Sequence, residues 1–118
     1  MQVIMVGADP ARIDIEVYPG EPVDFTVPVP DAAGVAQDVS TWTVSAQARA
    51  ARSSSVLHTF TLDPGADGVN VTVTEAETAA WAAWPVPVAR WDLWVTPPGG
   101  DATPLATGWV RVKATVTH

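Results

Sequence analysis

Apolar and polar residues alternate with a period of two along most of this 118-residue chain, and this alternation limits the folds open to it. Residues 12–18 and 69–74 show the pattern most clearly. Because successive side chains of a strand point to opposite sides, each alternating segment predicts a strand with one face on a core. No segment has the length and helical period needed for parallel crossovers. The pattern therefore excludes a doubly wound α/β fold.

Seven segments are predicted as strands, separated by turns rich in Gly, Pro and Asp. They are residues 12–18, 23–29, 42–50, 56–62, 69–74, 89–96 and 105–116. Pro28 is expected to end the second strand or to place it at a sheet edge, because proline cannot donate to a ladder. In the fourth, Val56, His58, Phe60 and Leu62 are expected to share the inward face. An all-β, antiparallel sandwich follows, with a small closed barrel as the alternative.

A short helix is predicted between the fifth and sixth strands. Thr74 and Glu77 have the spacing of a capping box, and Pro85 is expected to end the helical segment. Trp81 and Trp84 are expected to cover one end of the sandwich.

Composition argues against several function classes. The chain carries 13 acidic and 6 basic residues, for a net charge of −7, so nucleic acid and anionic lipid are poor partners. It has no cysteine, which excludes disulfides and thiolate metal sites. No apolar segment reaches the length of a membrane span, and the first residues lack the basic region of a secretory signal.

No catalytic motif is found, and no catalytic residue, cofactor or metal site is predicted. His58 is interpreted as a packed, hydrogen-bonded imidazole near the end of a strand. The Asp63–Asp67 turn lacks the ligand number of a calcium loop and is explained by turn propensity. An enzyme that depends on His58 is the least favoured hypothesis.

Two tryptophans carry the main functional prediction. Trp42 and Trp91 share a face with aliphatic residues and are expected in the core. Trp94 and Trp109 instead point outward by parity, together with Arg90 and Arg111.

Exposed Trp beside Arg is typical of protein-interface hot spots. These four residues are therefore the predicted contact surface. Three alternatives remain open: a register change from a bulge at Gly108, plain cross-strand packing of Trp94 against Trp109, and a platform for stacking sugars.

The first residues form a second candidate. Residues 1–11 are interpreted as an N-terminal arm or an edge strand, and residues 12–118 as the β-sandwich domain. The apolar, uncharged segment around Val3 and Ile4 either joins its own sheet or pairs with the sheet edge of a neighbouring subunit.

The order of several short segments resembles small β-sandwich proteins of tailed-bacteriophage virions. The segments are Glu16–Glu21, Phe25–Val27, Trp42–Arg49, Val69–Thr74, Glu75–Ala80, Trp91–Leu93 and Gly108–Val112. The likeness as a whole runs from about Glu16 to Val116, which is most of the chain. The chain departs from the family pattern at Pro85 and Pro87, and at Trp91, where tyrosine is commoner.

This resemblance implies an immunoglobulin-like sandwich and a non-enzymatic structural role in a virion, as a minor tail or baseplate protein or as capsid decoration. The expected partners are other virion proteins, with self-association as a further option, and the expected location is the virion, assembled in the host cytoplasm. One lysine against five arginines suggests GC-rich coding and hence an actinobacterial host. The alternative function is a carbohydrate-binding module for host-surface adhesion.

Overall fold

The computed structural model describes residues 1–6, 11–51 and 54–113, without the side chains of residues 5 and 6. In these residues the chain forms nine strands and a short helix, α1 (Glu75–Ala80), which a 3₁₀ turn (Trp81–Ala83) extends. The strands are β1 (Gln2–Val6), β2 (Ala11–Val17), β3 (Val23–Val27), β4 (Thr43–Arg49), β5 (Val56–Thr59), β6 (Thr61–Gly65), β7 (Gly68–Val73), β8 (Val88–Thr96) and β9 (Thr103–Val112). The helix lies between β7 and β8.

The strands form two sheets that share one core. The six-stranded sheet has the order β1-β2-β9-β8-β4-β5, and the three-stranded sheet has the order β3-β7-β6. Ile15 and Leu93 of the larger sheet and Val71 of the smaller one are fully buried in the same cluster. The all-β prediction is confirmed, but the described residues form nine strands rather than about seven. One pair, β2 with β9, is parallel, whereas a fully antiparallel arrangement was predicted.

The alternation predicted the buried faces of β2 and β7 correctly. Ile13, Ile15 and Val17 of β2 are at most 1% exposed. On β7, Val69, Val71 and Val73 are at most 2% exposed. The strand β3 ends at Val27, just before Pro28, and lies at the edge of its sheet, as expected.

The predicted strand over residues 56–62 is wrong, because the chain changes sheets at Phe60. The N–H of buried Phe60 donates to the Ala46 carbonyl at 3.0 Å, and the strands on either side belong to different sheets. Val56 is 38% exposed, so the four residues do not share a buried face. The period-two alternation continues through residues 56–62 although the chain passes from one sheet to the other at Phe60, and the local sequence does not indicate this crossing.

The helix is capped as predicted and is fixed to a turn. Thr74 Oγ1 accepts a hydrogen bond from the Glu77 N–H at 3.1 Å, and a Glu77 carboxylate oxygen accepts one from the Thr74 N–H at 3.0 Å. Thr78 is fully buried, and its hydroxyl donates to the Glu21 carbonyl at 2.7 Å. These bonds hold the helix over one end of the core, where Trp81 is only 2% exposed.

The parallel ladder between β2 and β9 is interrupted at Gly108. Pairing runs from Ala11 to Arg12 and resumes at Ile15, so Ile13 and Asp14 have no ladder partner on β9. The Trp91 indole N–H donates to the Ile13 carbonyl instead, at 2.8 Å. A Cβ on Gly108 would lie 1.9 Å from that carbonyl oxygen, so only glycine fits this position. Gly108 is thus a point of close approach between β2 and β9.

An aromatic cluster surrounds His58 below the helix. The imidazole makes edge contacts with Phe60 and Trp81, each at 5.0 Å between ring centroids. The predicted hydrogen bond is not found at Nε2, which is buried, hydrogen-bonds to none of the described residues, and lies 3.8 Å from a Glu77 carboxylate oxygen. Burial lowers the pKa of His58 below its usual 6.5, against the opposing effect of Glu77. The folded protein therefore favours the neutral imidazole.

We expect Gly108→Ala to lower the free energy of unfolding by about 3 kcal/mol or more, because the new methyl group overlaps main-chain atoms of Ile13. Gly65→Ala is the matched control, since its Cβ would meet nothing closer than the Gly68 carbonyl oxygen at 4.0 Å. We expect the control to change stability by less than about 1 kcal/mol. Urea denaturation followed by tryptophan fluorescence measures both. Equal effects would contradict the close approach.

We expect stability to fall as the pH is lowered from 7 towards 5. The unfolded chain, with its histidine pKa near 6.5, binds more protons in this range than the folded protein, whose His58 pKa is lowered. Urea denaturation at several pH values measures the slope, and carboxylates, with a reference pKa of 4.5 or less, contribute mainly below this range. His58→Phe keeps an aromatic ring and should flatten the slope. An unchanged slope in that variant would assign it to another group.

Candidate functional site: the outer face of the six-stranded sheet

The four predicted contact residues lie on one surface. The outer face is defined here as the side of the six-stranded sheet that points away from the core. Trp94 and Trp109 are each 39% exposed on it, and Arg90 and Arg111 are exposed beside them. The outward orientation predicted for both tryptophans is therefore confirmed.

Trp109 lies at the centre of a row of side chains that crosses five strands. The main-chain N–H of Trp109 donates to an Asp14 carboxylate oxygen at 3.1 Å, at the interruption of the β2–β9 ladder. Ile4 is opposite Asp14, Arg90 is opposite Trp109, and Arg49 is opposite Arg90. The Arg90 guanidinium carbon lies 5.2 Å from the centre of the Trp109 ring, a cation–π contact. We call these five residues the Trp109 row.

Trp94 lies apart from this row. Its cross-strand neighbours are Ser45 and Pro104. It stands four residues beyond Arg90 on β8, about 13 Å along the strand. Direct packing of Trp94 against Trp109 is therefore wrong as an explanation of their exposure. The register shift between β8 and β9 falls at Leu93/Trp94, not at Gly108, and it leaves both tryptophans outward.

The basic side chains of the described chain are concentrated on the outer face. Arg12, Arg49, Arg90, Arg111 and Lys113 account for five of the six basic residues. The face carries three acidic residues. Asp14 pairs with Arg12 at 3.3 Å, Glu16 pairs with Lys113 at 3.2 Å, and Asp92 lies opposite Thr107.

The rest of the described chain has the opposite charge. It carries nine acidic side chains and no lysine or arginine. The protein is therefore polarised, with one face that is positive overall in a chain of net charge −7. Arg90 and Arg111 form no ion pair with any described residue, so no described acidic side chain neutralises either charge.

A shallow concavity of about 380 Å³ lies on this face, beside Trp109. Val88 and Trp109 supply its apolar surface, and the charged groups around it are those of Arg12, Asp14, Glu16 and Arg111. An apolar wall with a few charged groups suits a side chain inserted from another protein.

The structure separates the two N-terminal candidates. Val3 packs against the core, so its side chain is not part of the outer face. Ile4 points outward and is 43% exposed. Both belong to β1, which pairs with β2 in antiparallel register.

Arg49 and Asp14 were not predicted as site residues. Their outward orientation could be read from the alternation, but their position beside Arg90 and Trp109 depends on strand order. That order joins β2 to β9 and β8 to β4, which are far apart in sequence. No local signal could have identified them.

The described residues were also compared with the requirements of a metal site and of a membrane span, and the sequence with those of known proteins. Among residues 1–6, 11–51 and 54–113, no group of three or more acidic or histidine side chains is arranged to hold a metal ion. None of the described helices is long and apolar enough to cross a membrane. No protein-family model matches the chain, and no curated protein matches it.

Proposed function

We propose that this protein is a non-enzymatic structural component that assembles with other proteins through the outer face of its six-stranded sheet. The observation that carries the proposal is the concentration of exposed Trp and Arg on one face of an otherwise acidic protein. Tryptophan and arginine are the residues most enriched at interface hot spots, and lysine and glutamate are depleted there.

The Trp109 row is suited to binding because it is already ordered. The Asp14 carboxylate fixes the Trp109 main chain, and Arg90 lies over the indole ring. Side chains held in place before binding lose less conformational entropy when a partner docks. The positive potential of the face also steers an acidic partner towards it.

We further propose that the fold is an immunoglobulin-like sandwich. The order β5-β4-β8-β9 corresponds to strands C′, C, F and G of a variable-type domain, and β3-β7-β6 corresponds to B, E and D. This agreement in topology supports the resemblance to virion proteins of tailed phages. On that basis we propose a place in a virion, as a minor tail or baseplate protein or as capsid decoration, in contact with neighbouring virion subunits.

The geometry favours a protein partner over a sugar. Arg90 covers one face of the Trp109 ring, and Trp94 stands about 13 Å away along β8. The two indoles therefore do not form one continuous stacking platform. Titration with host cell-wall polysaccharide, followed by tryptophan fluorescence, tests the alternative. Saturable quenching that is lost in both Trp94→Ala and Trp109→Ala would replace the proposal with a carbohydrate-binding module.

Photocrosslinking in particles tests the proposed function directly. A photoreactive amino acid at Thr107, on the outer face, should yield a crosslink to another virion protein. The same group at Thr61, on the outward side of the three-stranded sheet, is the control and should yield little. Mass spectrometry identifies the crosslinked protein. Absence of the chain from purified virions would refute the virion role, and crosslinking confined to Thr61 would refute the choice of face.

With the crosslinked partner in hand, we expect Trp109→Ala to weaken its binding at least about 30-fold, the effect of a hot-spot truncation. The melting temperature should change little, because Trp109 is 39% exposed. Titration calorimetry and thermal unfolding measure the two effects. A large loss of melting temperature would show that Trp109 stabilises the fold instead.

Charge reversal separates the two faces. We expect Arg90→Glu/Arg111→Glu to abolish the salt dependence of binding to that partner and to slow association. Asp24→Lys/Asp63→Lys, on the opposite sheet, changes as many charges in the other direction and should leave the affinity within about threefold. Stopped-flow measurements at several salt concentrations provide the comparison. Effects of similar size and opposite sign in the two variants would show that net charge, not the outer face, governs binding.

A further inference from the structure

One of the four sheet edges lacks the features that normally keep an edge strand from pairing with another chain. The edge strand β3 stops before Pro28, β6 contains Pro64, and β5 has only four residues with a register shift in its pairing. Proline, shortness and irregularity all protect edges. β1 has five residues, no charge and no proline, and it pairs with β2 without a shift.

The exposed side of β1 is open in the described chain. β1 is the first strand of the six-stranded sheet, and no described strand pairs with its far side. The outward side chain at its centre, Ile4, is 43% exposed. An unprotected edge with an exposed apolar residue is a template for strand addition.

We propose that β1 pairs with β1 of a second copy of this chain, antiparallel and about a two-fold axis at Ile4. This pairing would place Ile4 against Ile4 and Gln2 against Val6 of the other copy. A two-fold axis perpendicular to the sheet keeps both outer faces on the same side. The six-stranded sheets of the two copies then form one continuous sheet.

Charge favours a second copy over a charged partner segment. β1 carries no charge, so two copies meet along it without repulsion, and a charged strand would gain nothing there. The outward charges on the neighbouring strand are largely neutralised, because Asp14 is paired with Arg12 and Glu16 with Lys113. The antiparallel pairing also covers the exposed Ile4 with its own equivalent, which satisfies the symmetry of an isologous contact.

The contact is small, so the dimer should be weak. A pair of five-residue strands buries much less surface than a stable dimer interface. Sedimentation velocity of the full chain from about 1 µM to 1 mM should therefore show a reversible shift from 12.4 kDa to twice that mass. A monomer throughout, or a trimer, would overturn the proposal.

Ile4→Lys should shift the dissociation constant at least about tenfold upward, because two lysines would meet at the axis. Val56→Lys is the matched control, since Val56 is an exposed apolar residue on β5, at the other edge of the same sheet. It should leave the dimer intact, and circular dichroism checks that both variants fold. A dimer that Val56→Lys disrupts and Ile4→Lys does not would refute the assignment to β1.

Single cysteines test the register without relying on a destabilising change. The chain has no cysteine, so Ile4→Cys and Gln2→Cys each introduce a unique thiol. Residues facing each other in an antiparallel pair have Cα atoms about 5 Å apart, within disulfide range. The two Gln2 positions would be about 13 Å apart. Under mild oxidation Ile4→Cys should form a covalent dimer and Gln2→Cys should not. Equal crosslinking, or none, would overturn the proposed register.

This proposal and the proposed function fail independently. Ile4 belongs both to the β1 edge and to the Trp109 row, so Ile4→Lys cannot separate the two proposals, whereas Trp109 lies on β9, two strands away from the β1 edge, and can. Loss of partner binding in Trp109→Ala should leave the dissociation constant of the dimer unchanged.

Discussion

The hydrogen bond from the Trp91 indole to the Ile13 carbonyl closes a gap in the six-stranded sheet, and the surrounding structure depends on it. The gap exists because β2 and β9 lose two ladder pairs where Gly108 approaches Ile13. A buried carbonyl without a partner costs about 1–3 kcal/mol. Trp91 supplies that partner from β8, the strand beyond β9. One side chain thereby bridges β8 and β2 across β9, in addition to the five ladder pairs that remain between β2 and β9.

The same gap shapes the proposed interaction surface. With the ladder interrupted, the Trp109 N–H has no main-chain acceptor on β2, and the Asp14 carboxylate takes that role. The Asp14 carboxylate is thus bonded to the Trp109 main chain and paired with Arg12. Arg90 and Arg111 have no acidic partner among the described residues. The outer face is positive overall because it carries five basic and three acidic side chains, and the interruption of the ladder accounts for the bond that Asp14 makes. The absence of a Cβ at Gly108 thus affects both the Trp91 hydrogen bond on the core side and the Trp109 main-chain bond on the outer side.

The alternation of the sequence predicted which side chains of β2, β7 and β8 face the core, and it placed Trp94 and Trp109 outward, but it was wrong over residues 56–62. The capping box likewise predicted the helix, because Thr74 and Glu77 act on main-chain groups within one turn. What the alternation could not supply was strand order, since pairing joins segments distant in sequence. The parallel β2–β9 pair and the sheet crossing at Phe60 were missed for this reason. The immunoglobulin-like topology is proposed from the strand order, and the virion role from the resemblance of the sequence segments.

The two proposed contacts use different physical properties of one sheet. The outer face offers charge and flat aromatic surface, which favour an acidic protein and make binding sensitive to salt. The β1 edge offers main-chain groups without charged side chains, which favours pairing with an identical strand. We expect that pairing to be insensitive to salt. Because the proposed two-fold axis keeps both outer faces on the same side, a dimer would present two Trp109 rows to one surface. A weak contact at each row would then be strengthened by effective concentration, provided the partner repeats at a matching spacing. Repeating subunits are what an assembled particle provides, so a weak dimer and a modest face would suffice for stable attachment there.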